Sequence, residues 1–186
     1  MKILLINNHT RHLQSLQRSL IGHDVEVQLY KPGLDFHDQG KDLIILSGGG
    51  GEGLEINDKI DQDRLWYQEE MEFVLRNKKP LIGICMGFEV ICRASGLAVP
   101  KMPQLLMAQT NLQTTKKGRA VLGRAKLSQL EAHQWHVTKL PKGFDVLAES
   151  NTGIEIIKKG NTIATQFHPE KPGTLELSRL LKRAVA

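Results

Sequence analysis

Cys85 stands between two glycines in Gly83-Ile84-Cys85-Met86-Gly87. The apolar run Leu81 to Ile84 before it reads as a buried strand, and a helical pattern runs from about Met86 to Ser95, closed by Gly96. A cysteine on a strand-to-helix turn, with glycine two positions away on either side, has the layout of a nucleophile elbow. Glycine suits a turn where the backbone is crowded. The geometry lifts the thiol above the sheet edge and puts the sulfur at a helix N-terminus, whose partial positive charge favours thiolate. A lone cysteine is more often a small core hydrophobe, so the weight rests on what accompanies it.

Three other stretches fit a cysteine nucleophile. Ser47-Gly48-Gly49-Gly50-Gly51 follows an apolar strand directly. Bare backbone there can approach a ligand and aim N–H groups at a developing oxyanion. A phosphate loop is excluded, because no Gly-Lys-Ser/Thr follows. His168-Pro169-Glu170 ends another strand pattern. A cysteine nucleophile needs a base, and the base needs an orienting acceptor; Pro169 stiffens the backbone between the two side chains. One histidine among seven carries little weight alone. Finally, His133-Gln134-Trp135-His136 offers two histidines three apart. On a helix these would be candidate metal ligands, but no third or fourth ligand is spaced with them. No metal is therefore expected, and the stretch reads as a substrate-lining loop.

The elements that must position these residues follow from periodicity. Residues 2–6 are an apolar strand, and Thr10 is a candidate cap for a helix carrying Leu13, Leu16, Leu20 and Ile21. Val25, Val27 and Leu29 alternate as a strand, and Leu43 to Leu46 is fully apolar, as in a parallel sheet covered on both faces. An acidic loop leads into an amphipathic helix with Leu65, Trp66, Met71, Phe73, Val74 and Leu75, and then to the elbow. This order suggests an open doubly wound sheet, whose ligands bind beyond the C-terminal strand ends; the glycine run and Cys85 both lie there. The second half differs. Leu105 to Lys126 reads as short antiparallel strands, Ile154 to Phe167 as two strands around a Lys158-Lys159-Gly160-Asn161 turn, and a last helix starts near Thr174.

Composition sets the outer limits. A chain of 186 residues with 40% hydrophobic and 24% charged residues suits one globular domain, residues 1–186. No run of about 18 apolar residues is present, and the first residues turn polar too soon for a signal peptide. Cys85 and Cys92, two helical turns apart, are about 10 Å from each other, too far for a disulfide. Reduced thiols and no export signal place the chain in the cytoplasm. The net charge is +5, and the six basic residues from Lys101 to Lys126 have no acidic neighbour in the sequence. Without interleaved aromatics they predict a solvated or partner-docking face rather than a nucleic-acid site.

Taken together, Gly83 to Gly87, the glycine run and Gln166-Phe167-His168-Pro169-Glu170 resemble the class I (triad) glutamine amidotransferases, in order and spacing and over nearly the whole chain. Within that family, Glu131 to Val137, Leu140 to Phe144 and Val146-Leu147-Ala148 are most similar to the free-standing amidotransferase subunit of GMP synthase. The anthranilate synthase and aminodeoxychorismate synthase subunits share the core motifs. The resemblance implies a flavodoxin-like α/β fold: an open doubly wound, mainly parallel sheet with helices on both faces and a small antiparallel extension. It implies that Cys85 attacks the side-chain amide of L-glutamine. His168 activates the thiol and protonates the leaving ammonia, and Glu170 orients His168. Met86 with Gly49 or Gly50 forms the oxyanion hole, while Glu89, Gln134 and Trp135 contact the substrate. No cofactor, nucleic acid or membrane is implied; a separate synthetase subunit takes the ammonia, as in purine biosynthesis.

Two departures from the family pattern stand out. The position four after the nucleophile is usually glutamine and here is Glu89, an acceptor only when ionised. A negative charge there would also oppose thiolate formation. Gly50 replaces a common proline, which leaves backbone donation intact but loosens the loop. Two alternatives stay open at this level: a γ-glutamyl hydrolase that works alone with the same triad, which Glu89 favours, and a catalytically weak regulatory homologue, which the intact triad disfavours.

Overall fold

The computed structural model describes residues 1–49, 60, 61 and 64–185. Its centre is a nine-stranded sheet in the order β2-β1-β3-β6-β11-β10-β9-β7-β8. The first five of these run parallel: β2 (Asp24–Leu29), β1 (Lys2–Asn7), β3 (Leu43–Leu46), β6 (Leu81–Ile84) and β11 (Thr162–Thr165). From β11 outward every pairing is antiparallel, through β10 (Ile154–Lys159), β9 (Asp145–Glu149), β7 (Lys101–Thr114) and β8 (Lys126–Trp135). A two-stranded hairpin, β4 (Ile60–Asp61) with β5 (Arg64–Leu65), precedes the second helix. The rest of the acidic loop lies outside the described residues.

Side-chain alternation splits the parallel strands between two cores. Ile3, Leu5, Leu43, Ile45, Ile82 and Ile84 face α1 (Leu13–Ser19) and α5 (Leu177–Val185), through Leu16, Leu20, Leu177, Leu180, Leu181 and Ala184. Leu4, Ile6, Ile44, Leu46 and Leu81 face α2 (Gln68–Arg76) and α3 (Met86–Ala94), through Phe73, Phe88, Ile91 and Cys92. Strands buried on both faces explain the unbroken apolar runs in the sequence. Among the described residues, no helix is long and apolar enough to cross a membrane.

Several local expectations are corrected. Thr10 does not cap α1: its hydroxyl accepts from the backbone N–H of His12, which is itself the N-cap. The last helix starts at Leu177, because Thr174 is pinned to β8: its hydroxyl accepts from the Ser128 N–H and its own N–H donates to the Gln129 side chain. Leu105 to Lys126 is not a set of short strands but the single long β7 followed by α4 (Lys116–Leu122). The signals for α4 are present in the sequence. Thr115 caps it by accepting from Gly118 N at 3.0 Å, and Gly123 ends it with a left-handed φ of 71°. The His133 to Trp135 stretch is the end of strand β8, neither a helix nor a loop. The six basic residues of this region are all exposed.

Gly118 is the tightest contact between α4 and the sheet. A Cβ there would sit 1.7 Å from the carbonyl oxygen of Leu147. Backbone cannot swing aside as a side chain does, so Gly118→Ala should cost about 1–3 kcal/mol or more, read as a lower denaturation midpoint with an unchanged slope.

Candidate active site

The elbow is visible as backbone strain. Cys85 has φ 51° and ψ −106°, one of two non-glycine residues with positive φ among those described. Such a conformation costs of order 1–3 kcal/mol and persists only where its surroundings enforce it. The Cys85 N–H donates to the Thr165 carbonyl on β11 at 2.8 Å, and the Gly87 N–H donates to the Ser47 carbonyl at 3.1 Å. The flanking glycines serve close approach. A Cβ on Gly87 would lie 2.4 Å from the Leu46 carbonyl oxygen, and one on Gly83 would lie 2.8 Å from the Gly87 carbonyl oxygen.

His168, the candidate base, comes from a turn rather than from continued strand. β11 ends at Thr165, and the Lys171 N–H closes a turn on the His168 carbonyl at 3.0 Å. That turn brings Glu170 Oε1 to within 2.8 Å of His168 Nδ1. A carboxylate only accepts, so Nδ1 carries the proton and Nε2 is left free to act as base. The glycine loop passes directly over both groups. A Cβ on Gly48 would lie 2.9 Å from His168 Cε1 and 3.5 Å from Cys85 Cβ; one on Gly49 would lie 2.3 Å from Met86 Sδ. Cys85, Met86, His168, Gly48 and Gly49 are thus brought together. Gly50 lies outside the described residues.

Residues not singled out in the sequence hold this arrangement. Asn8 receives the loop: its N–H donates to Ser47 Oγ at 2.8 Å, and its side-chain amide donates to Glu70 Oε1 at 2.8 Å. Burial pushes the Glu70 carboxyl up to about 8. His12 stands edge-on to His168, with ring centroids 4.8 Å apart. Burial, and then the neighbouring His168, push His12 down to about 4, so it is a neutral wall near neutral pH. In sequence the Asn7-Asn8-His9-Thr10 stretch reads as a plain loop; only its position after β1, at the ligand-binding end of the sheet, marks it.

The substrate-contact candidates are placed differently. Glu89 is buried on α3 and accepts from Gln166 Nε2 at 2.7 Å. Gln134 donates its side-chain amide to the Met102 carbonyl, and Trp135 lies under Lys101 Nζ, 5.3 Å from its ring centre. The Trp135 carbonyl is occupied by His133 Nδ1 at 2.7 Å. His136 turns away to the Thr152 carbonyl, so the two histidines do not converge.

The electrostatics oppose a resting thiolate. Burial pushes the Cys85 thiol well up, and Glu89 and Glu170 add to it; the Met86 N–H pulls the other way more weakly. The expected helix N-terminal help is thus outweighed, and the surroundings of Cys85 favour the thiol over the thiolate. Cys92 is also free and buried.

The model of the glutamine amidotransferase class-I family matches residues 4–186. The chain belongs to this family of cysteine-dependent, glutamine-hydrolysing enzymes. It is 28% identical to one subunit of the glutamine-hydrolyzing GMP synthase of Methanothermobacter thermautotrophicus, over 97% of this chain and 94% of the relative. It is 27% identical to the pyocyanine-specific anthranilate synthase component 2 of Pseudomonas aeruginosa, over 100% of this chain and 93% of the relative. Against the GMP synthase of Wolbachia pipientis wMel it is 26% identical, over 96% of this chain but 36% of the longer relative. The fold matches a Thermotoga maritima glutamine amidotransferase with a TM-score of 0.73 at 16% identity, covering 98% of this chain and 80% of that one.

Two substitutions probe the amidotransferase site. Gly48→Ala sets a methyl against His168 and should slow glutamine-dependent turnover by about 100-fold, with little change in melting temperature; displacements of about 1 Å cost that much. Glu89→Gln removes a negative charge from beside the sulfur and lowers its pKa. Alkylation of Cys85 at pH 8, followed by mass spectrometry, should then run about threefold to tenfold faster.

Proposed function

We propose that this chain hydrolyses L-glutamine with Cys85, His168 and Glu170 and passes the ammonia to a separate synthetase subunit, of the kind that completes GMP synthase. The observation that carries the reading is a strained cysteine elbow facing a hydrogen-bonded His168–Glu170 pair, with a glycine loop laid over both. Cys85 Sγ attacks the δ-carbonyl carbon as its proton passes to His168 Nε2. Backbone N–H groups of Met86 and Gly49 receive the oxyanion. The C–N bond breaks, His168 gives the proton to the departing ammonia, and a glutamyl thioester remains. Water, deprotonated by His168, releases glutamate and restores the thiol.

A synthetase partner fits the relatives. This chain corresponds to nearly all of the Methanothermobacter relative but to about a third of the longer Wolbachia GMP synthase. The part of that protein beyond the match is where an ammonia-using activity would lie. The two free cysteines are consistent with a cytoplasmic setting. A second reading, a partner-independent hydrolase of γ-glutamyl amides, has Glu89 in its favour. Its carboxylate suits an ammonium-bearing ligand, although Gln166 already holds one of its oxygens.

The deciding measurement is glutamate release from glutamine, with and without the synthetase subunit of GMP synthase. Cys85→Ala should lower release by at least about 1,000-fold, and the partner should raise the wild-type rate. Release that survives in Cys85→Ala, or turnover of γ-glutamyl amides with no response to any partner, would sink the proposal.

A further inference from the structure

Beside the triad, and outside its mechanism, lies a second cluster: Glu131 and His133 on β8 and Glu155 on β10. All three are buried, at 0%, 4% and 1% exposure. The strands are not neighbours in the sheet, but β8 returns over this end, where the His168 N–H meets the Leu130 carbonyl and the Ile154 N–H meets the Val137 carbonyl. One ligand atom from each side chain lies within 4.8 Å of the other two.

The cluster is unsatisfied in a specific way. Both oxygens of Glu131, Oε2 of Glu155 and Nε2 of His133 are buried without a hydrogen-bond partner. His133 Nδ1 faces the Trp135 carbonyl at 2.7 Å, and a carbonyl only accepts, so Nδ1 carries the proton. In the neutral ring, Nε2 is then a bare lone pair, 3.0 Å from Glu131 Oε2 and not hydrogen-bonded to it. Two lone pairs so close, with a second carboxylate beside them, call for a proton or a cation between them. Among the described residues, no lysine or arginine pairs with Glu131 or Glu155. The outer contacts also resemble those of a metal centre. Ser150 Oγ, 2.5 Å away, and Thr152 Oγ1 donate to Glu155 Oε1, which orients the carboxylate and leaves Oε2 facing inward. The Trp135 carbonyl does the same for His133.

We propose that Glu131, His133 and Glu155 bind one divalent first-row transition ion, with Zn²⁺ or Mn²⁺ as the fitting class. One imidazole and two carboxylates form an N/O ligand set that suits such ions; the imidazole disfavours Mg²⁺ and Ca²⁺. Ligand distances of about 2.0–2.2 Å put opposed donors at most about 4.4 Å apart, so a small inward adjustment seats the ion. Its charge compensates two carboxylates, one of which faces the nucleophile: Glu131 is among the groups that oppose ionisation of Cys85. The pattern is invisible in sequence, because Glu155 comes from a different strand.

The test uses the full chain, stripped with chelator and titrated with ZnCl2 or MnCl2 by calorimetry. The expected result is saturable binding of one ion per chain, a rise in melting temperature, and at least about a 100-fold loss of affinity in Glu131→Gln and in Glu155→Gln. No saturable binding overturns the proposal and leaves the carboxyls sharing a proton. Binding that both variants retain also overturns it, since the ion then sits on other histidines. If the variants fail to fold, Co²⁺ added to the wild-type chain decides. Visible bands of a low-coordinate N/O site support the assignment, and the spectrum of aqueous cobalt refutes it.

Discussion

Gly87 lets the first turn of α3 settle against the end of β3, with its N–H on the Ser47 carbonyl and no room for a side chain beside Leu46. That contact sets the distance between the elbow and the glycine loop. From it follow the positive φ of Cys85, the stacking of Gly49 on Met86, and the close approach of Gly48 to both Cys85 and His168. Two parallel strands and one helix are therefore enough to place Cys85 under the glycine loop. β11 adds His168 from the other side, through the Cys85 N–H to Thr165 contact and the turn that follows. The strain at Cys85 is sustained by hydrogen bonds on both flanks rather than by the turn itself.

The site is unusually rich in buried carboxylates. Glu70 steadies the loop through Asn8, Glu89 bonds Gln166, Glu170 orients His168, and Glu131 and Glu155 meet His133. Burial pushes Glu131 up to about 7, and burial with the neighbouring Glu131 takes Glu155 up to about 8. A thiol in such surroundings resists ionisation, so the proposed chemistry depends on the position of His168. His12, neutral and edge-on, leaves that ring little freedom on one side.

The parallel half of the fold was legible because its central strands are buried on both faces and write themselves as runs such as Leu43 to Leu46, while the edge strand β2 shows alternation instead. The elbow, the glycine loop and the His168–Glu170 pair were legible because each follows a strand end. The antiparallel half was harder. β7 is mostly exposed on its first ten residues, so no apolar alternation marks it, and Gly118 disguised α4 although Thr115 and Gly123 bracket it. Contacts made between elements far apart in the chain, such as Asn8 with Glu70 or Glu131 with Glu155, leave no local pattern.

The burial of Cys85 has a consequence for oxidation chemistry. Peroxides attack the thiolate, not the thiol, and attack faster where the sulfur is open to solvent. A sulfur that is 8% exposed and held protonated by its surroundings offers neither condition. Its neighbour Cys92, fully enclosed and likewise pushed up by burial, cannot serve as a resolving partner. Both features disfavour the sulfenic-acid path at Cys85.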